Sequence, residues 1–406
     1  MGPPGRASAR DLLATPPGGE GAVTGPSCPE SPGSSRAERV RARRWSSVPE
    51  RDSRAGARPH GDRAAPSPTE AAVGVLHRVA FLLERAQADE HRSAAFRGAA
   101  RVVDDLPTDE LVARVAAQTL TDLPGIGART AEVVTAAVRD ERVEYLDRLE
   151  REAEPAPEVG SSLRRQLRGD LHSHTDASDG RTPLRDMVLA AAELGHEYLA
   201  ITDHSPRLTV ANGLSPARLR TQLSQIAGLR AGGGPFRVLS GIEVDILDDG
   251  SLDQDVELLD ELDVVVASVH SKLRMDRPAM TRRLVAAVSD PRVDVLGHCT
   301  GRQITGKLRP PSEFDAVAVF EACAEHGTAV EINSRPDRLD PPHALLELAV
   351  AAGCVFSIDS DAHAPGQLDW QVAGCARAAE HGLQADRVVD TWPVEQLLDW
   401  TRTGST

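Results

Sequence analysis

The chain has 406 residues, a net charge of −15, thirteen histidines and five cysteines. That balance excludes a protein that coats a polyanion through its global charge, so any nucleic-acid contact has to be local. No run approaches ~18 apolar residues, no signal-peptide core opens the chain, and the scattered cysteines form no CxxC pair, so the expectation is a cytoplasmic protein with neither a membrane partner nor a disulfide framework.

Residues 1–68 are rich in Pro, Gly, Ser and Arg and show no hydrophobic periodicity. Such a segment buries too little apolar surface to offset the entropy of ordering, and it reads as a disordered tail. Its Arg39–Arg44 cluster is either a nucleic-acid contact or simply a solvated run of charge.

Residues 69–145 read as a small all-α domain. Val73, Val75, Leu76, Val79, Leu82 and Leu83 recur at helical spacing. A second helix is expected near His91–Val103, and a third from Thr108, taken as an N-cap ahead of Asp109 and Glu110. Leu123-Pro-Gly-Ile-Gly127 then joins two helical stretches in the manner of a helix-hairpin-helix. Gly125 and Gly127 permit a tight turn, and amides at the next helix start can hold a phosphate oxygen without reading the base. Arg129, in the following turn, is the expected charged contact to DNA. The plain alternative is a turn that only joins packed helices. Residues 146–166, with Glu150–Glu158 charged and Pro-containing, read as a linker.

From 167 to 406, apolar β-branched runs alternate with amphipathic helices, one of them opened by Thr182 as N-cap and Pro183 as first residue. A polar residue closes each run: His172 and His174, then His204, Glu243, His270, His298, Glu331 and Asp361. These ends lie roughly 27–40 residues apart, about one βαβ unit. Seven strands with chemistry at their C-terminal ends describe a distorted (βα)7 barrel of α/β class, related to the TIM barrel, with its site on the top face. An open doubly wound sheet would gather ligands only near a switch point. The barrel is expected to be self-sufficient.

Nine residues are candidate metal ligands: His172, His174, Asp179, His204, Glu243, His270, His298, Asp361 and His363. Imidazole and carboxylate without thiolate suit Zn, Mn or Fe and disfavour a calcium cage. Nine donors exceed what one ion needs, so two or three divalent ions sharing a bridging carboxylate are expected. Such a cluster clamps phosphate, acidifies a bound water and stabilises a leaving oxygen. Any one of these histidines alone would read as a packed or solvated residue; their coincidence at strand ends argues otherwise.

The pattern resembles the PHP (polymerase and histidinol phosphatase) family of metallophosphoesterases: an HxH pair (His172, His174), Thr202-Asp203-His204, Glu243 on a strand, single histidines 270 and 298, and a terminal DxH (Asp361, His363). His270-Ser, Gly297–Arg302 and Glu331–Asp340 look like the PHP domain of bacterial family X DNA polymerases, and the helical region is similar to their N-terminal DNA-binding domain. Two departures matter. The linker is too short for a polymerase palm, and with Lys272 and Lys307 the only lysines, the helical region lacks the amine a Schiff-base lyase needs. The resemblance implies a metal-dependent phosphoesterase acting on DNA, as a 3′–5′ exonuclease or in 3′-end processing during repair. The alternative is a phosphatase for a small phosphorylated substrate of the histidinol-phosphate type; a non-catalytic scaffold is a third class. Asp203 is a candidate proton carrier or partner to His204, and Arg302, Arg335 and Arg338 are candidate phosphate ligands.

Overall fold

The computed structural model describes residues 65–403. The expectation of a disordered tail concerns residues that lie almost wholly outside this range. Where the two meet, the chain is already helical: α1 (Pro68–Arg85) opens with a reciprocal cap in which Glu70 N–H donates to Ser67 Oγ and Ser67 N–H to the Glu70 carboxylate.

Helices α1, α2 (Glu90–Asp105), α3 (Thr108–Ala117), α4 (Ala128–Val138) and α5 (Glu144–Glu152) share one core around Leu76, Val79, Leu83, Phe96, Val103, Leu111 and Val134. Thr108 is the first residue of α3 rather than its cap, which is Pro107; its hydroxyl bonds to Thr69 Oγ1 at 2.9 Å. Gly125 adopts φ +89°, a conformation side chains resist, and Gly127 caps α4 while its N–H donates to Thr130 Oγ1. The linker reading of 146–166 needs correction at its start. Tyr145 is buried against Phe96 with ring centroids 5.5 Å apart, so α5 belongs to the helical core.

The remainder is an α/β fold whose six strands are all parallel and paired in sequence order: β1 (Tyr198–Ile201), β2 (Arg237–Asp245), β3 (Val264–Ser268), β4 (Val295–Leu296), β5 (Ala329–Asn333) and β6 (Phe356–Asp359). Alternation sorts their side chains. Tyr198, Ala200, Leu239, Val264, Val266 and Val295 meet Leu397 on one face, while Leu199, Ile201, Val265, Ala267 and Ile358 pack in the clusters on the other. Among the flanking helices, the one expected from Thr182 begins at Leu184 with Pro183 as cap (α6, Leu184–Glu193).

Seven strands were expected and six form; the segment bearing His172 and His174 is the exception. Its carbonyls at 168, 170 and 173 accept from the N–H groups of 198, 200 and 202, so one extra residue interrupts the period-2 register. Towards β6, side chains replace part of the ladder: Leu171 N–H donates to Asp359 Oδ1 (2.7 Å) and Ser360 N–H to Asp170 Oδ1 (3.3 Å). Only Ser173 and Ala362 form a true bridge. The segment therefore lies between β1 and β6 without being a regular strand.

The helical region and the strand-bearing region fall within one compact unit. α1 packs on a short 3-10 turn, Pro365–Trp370, through a bond from Gly366 N–H to Glu84 Oε2 (2.9 Å).

Candidate metal centre

Glu243 ends up at the middle of five imidazoles. Its Oε2 lies 2.8 Å from His204 Nδ1, 3.3 Å from His172 Nε2 and 3.6 Å from His174 Nε2. Its Oε1 lies 2.8 Å from His298 Nε2 and 3.2 Å from His270 Nε2. The inward face of β2 explains the placement, since Leu239, Gly241 and Glu243 alternate there. A side chain at 241 would meet Val264 O at 2.8 Å, so the neighbouring position is kept small.

Asp361 and Asp179 extend the cluster. Asp361 Oδ1 is 3.4 Å from His174 Nε2, and Asp179 Oδ1 is 3.4 Å from both His204 Nε2 and His363 Nε2. Three groups have converging donor atoms: His174/Asp179/His204/His363, His172/His174/Asp361, and His204/Glu243/His270. His298 joins through Glu243. All nine sequence-selected residues therefore meet in one place.

The chemistry of this donor set fits divalent ions. Separations of 3.2–3.6 Å recur, and donor atoms sharing a tetrahedral ion at ~2.1 Å stand about 3.4 Å apart. Both oxygens of Glu243, both nitrogens of His174 and of His270, and His172 Nε2 are buried without a hydrogen bond of proper geometry. Buried polar atoms are otherwise nearly always satisfied, and so many unsatisfied donor atoms in one cluster fit ligands for a cation.

Charge preferences point the same way. Burial opposes ionisation of Glu243, yet His270, His172 and His204 hold it well below the usual carboxylate range. His204 is disfavoured as a cation by burial, but Glu243 and Asp179 raise it to about 10. His174 is lowered to about 3 by burial and by His363 and His204. Glu243 and His174 are thus held in the forms a metal needs of its ligands, whereas His204 would give up its proton on binding one.

The sequence reading missed the residues that aim the ligands. Glu331 Oε1 lies 2.6 Å from His172 Nδ1. Asn333 donates from Nδ2 to both Glu331 Oε2 and Asp361 Oδ2, each at 3.2 Å. Asp245 Oδ1 sits 3.3 Å from His270 Nδ1 and accepts His270 N–H. The available signal was the Glu331-Ile-Asn333 repeat, which puts two polar groups on the inward face of β5. Asp361 itself has φ +52°, a turn at the end of β6 that re-aims its carboxylate.

The other residues singled out in the sequence take different places. Asp203 accepts from Thr175 N–H (2.8 Å), Thr175 Oγ1 (2.6 Å), Ser178 Oγ and Gln222 Nε2. It ties down the loop that carries Asp179. Arg302 donates to the carbonyls of Arg338 and Leu339 and is a brace rather than a phosphate ligand. Arg335 and Arg338 do lie at the centre, 3.4 Å and 3.3 Å from the Asp361 carboxylate, with Arg335 Nη1 3.0 Å from His363 Nδ1. Far from this cluster, Arg129 pairs with Glu132 at 2.6 Å and lies over the Tyr145 ring.

Comparison with known proteins agrees with this geometry. Residues 170–335 match the PHP domain and residues 67–143 a helix-hairpin-helix domain. The chain is 39% identical over 225 residues to the DNA polymerase/3′-5′ exonuclease PolX of Bacillus subtilis, an alignment spanning 55% of this chain but only 39% of that protein. It is 31% identical over 207 residues to a probable phosphatase of Edwardsiella ictaluri, and 30% over 206 residues to the probable phosphatase YcdX of Escherichia coli, spanning 78% of each and 48% of this chain. A histidinol phosphate phosphatase structure from Lactococcus lactis aligns over 54% of this chain and 95% of that one at 19% identity, TM-score 0.38. No described helix is long and apolar enough to cross a membrane.

Proposed function

The chain belongs to the PHP domain family of metal-dependent phosphoesterases, and from that premise we propose that it hydrolyses phosphodiesters of DNA, trimming or processing 3′ ends in the manner of a 3′–5′ exonuclease. The observation that carries the hydrolytic reading is the single carboxylate of Glu243 standing among five imidazoles. We assign His172, His174, Asp179, His204, Glu243, His270, His298, Asp361 and His363 as the ligands of two or three Zn, Mn or Fe ions. When bound, such ions supply Lewis-acid polarisation of the phosphoryl group and activation of water.

The chain's own groups do the rest. Glu331 and Asp245 orient ligand imidazoles, and Asp203 holds the Asp179 loop. Arg335 and Arg338 border the centre, where a guanidinium offers paired N–H donors to phosphate oxygens. DNA is the favoured substrate because a helix-hairpin-helix region is packed onto the same unit. The hairpin at Gly125 and Gly127 brings the free amides at the start of α4 to backbone phosphate, the Gly127 N–H itself being held by Thr130, with Arg129 in support. The exposed Arg129–Glu132 pair is of a kind worth little, so releasing it for phosphate costs little.

The test is a side-by-side assay of 3′-labelled oligonucleotide and histidinol phosphate, with and without chelator. Metal-dependent shortening of the oligonucleotide is expected. Turnover of the small monoester alone would favour the second reading, the one carried by the probable phosphatases among the relatives. Full activity after complete metal removal would sink both.

A further inference from the structure

The helical region leans on one particular half of the candidate centre. Glu84, at the end of α1, is buried between the two regions. Its carboxylate accepts from Arg97 Nε (3.0 Å) and Nη2 (2.8 Å) and from Gly366 N–H (2.9 Å). The next residue, Arg85, accepts from Trp370 Nε1 through its carbonyl (2.9 Å) and pairs with Asp369 (2.9 Å). The fit is close, since a Cβ on Gly366 would stand 2.1 Å from Phe81 O and 2.8 Å from Glu84 Cβ. All these partners sit in the turn that starts two residues after His363, and Gln367 of that turn accepts the His363 N–H at 2.7 Å.

A second strut runs to the other side of the same pair. Arg181, two residues past Asp179, forms an ion pair with Glu90 on α2, and its backbone N–H donates to His363 O at 2.8 Å. Asp179 and His363 face each other at 3.4 Å. Both lie in irregular segments, whereas Glu243 stands within the hydrogen-bonded ladder between β2 and β3. Ligands outside regular structure hold productive geometry, to within about 0.5 Å, only if neighbouring packing locks them.

We propose that Glu84, with Gly366 and Trp370 opposite it, is a positioning residue for the Asp179/His363 half of the centre, so that docking of the helical region sets the affinity of the ion bound there. The inference rests on the metal-centre reading above. An ion in the groups built on Glu243 and Asp361 is held by ligands that do not lean on α1, and it is retained when docking fails. The helical region then has two tasks, gripping the substrate and completing the site.

The experiment uses the full chain, comparing wild type with Glu84→Ala, Glu84→Gln, Trp370→Phe and Gly366→Ala. Arg114→Ala, in a partly buried pair within α3, serves as control. Bound metal per chain is measured by elemental analysis after dialysis, and the Co(II)-loaded forms are compared by visible absorption. Glu84→Ala and Gly366→Ala should lose the weakest-held ion, its affinity falling about 10–100-fold, with the remaining ions and the far-UV circular dichroism unchanged. Glu84→Gln, which keeps an acceptor for the Gly366 N–H, should recover part of the loss. If Glu84→Ala or Gly366→Ala does not fold, the milder Trp370→Phe and Glu84→Gln carry the test. Unchanged metal content and cobalt spectra in the folded variants would overturn the inference, as would equal loss of every ion. A wild type that binds no metal refutes the metal centre itself, and this inference with it.

Discussion

Glu331 Oε1 lies 2.6 Å from His172 Nδ1, and neither side chain meets solvent. The contact assigns the Nδ1 proton as donor and leaves Nε2, 3.3 Å from Glu243, to present its lone pair to the centre. Glu331→Gln preserves the shape but removes the charge that raises ligand basicity. Metal affinity should fall about 10–100-fold, read by competition with a chromophoric chelator, while His172→Ala should lose phosphoesterase activity altogether. Wild-type affinity in Glu331→Gln would show that the pair orients nothing.

Removing metal should destabilise the fold. Ions that bind only the folded chain stabilise it by about 2.7 kcal/mol at a hundredfold excess over Kd. Chelation should therefore lower Tm, and added Zn or Mn should restore it. A thermal melt identical with and without chelator speaks against ions resident in this cluster.

Asp294 offers a pH-dependent test outside the centre. It is buried and accepts Val265 N–H at 2.7 Å; burial first, and the charge of Asp263 second, push its pKa well above the usual range. A folded pKa above the unfolded one means stability is fully present below the unfolded value, ~3.9, and is lost as pH rises through the folded value. Asn keeps the acceptor and carries no charge. Asp294→Asn should thus melt roughly 2–4 °C higher than wild type at pH 8, with the gap closing towards pH 4. A constant difference across that range would assign the effect to packing.

Arg129→Ala tests the hairpin. If the region holds DNA by its phosphates, the slope of log affinity against log salt should fall by about one, and binding should weaken similarly for unrelated sequences. A point change is the cleaner probe, because a cut after residue 145 would pass through α5 and strip the docking surface. An unchanged slope in Arg129→Ala would remove this residue from the interface.

Seven of the nine donors were legible because they close apolar runs, and strand ends of a parallel sheet share one face of the molecule; Asp179 and His363 lie in irregular segments and were found only through the motifs that resemble the PHP family. Glu331, Asn333 and Asp245 were harder to find, since their value lies in partners brought close only by folding, as Glu331 and His172 are from 159 residues apart. The irregular segment at His172 escaped for a related reason. Its apolar and polar pattern suits a strand, but Asp170 and Asp359 supply acceptors that the ladder would otherwise provide. The contacts of Arg302 with backbone carbonyls and of Asp203 with a neighbouring loop were out of reach because nothing in their local sequence reveals them.

The position of Glu243 also bears on how the centre fills. One carboxylate faces both His270 and His298 through one oxygen and His172, His174 and His204 through the other. Ions held on the two sides of Glu243 would share that carboxylate, and occupancy at one position would then change the affinity at the next, with the converse by the same factor. They would form a thermodynamically linked set, whose titration would depart from a sum of independent isotherms.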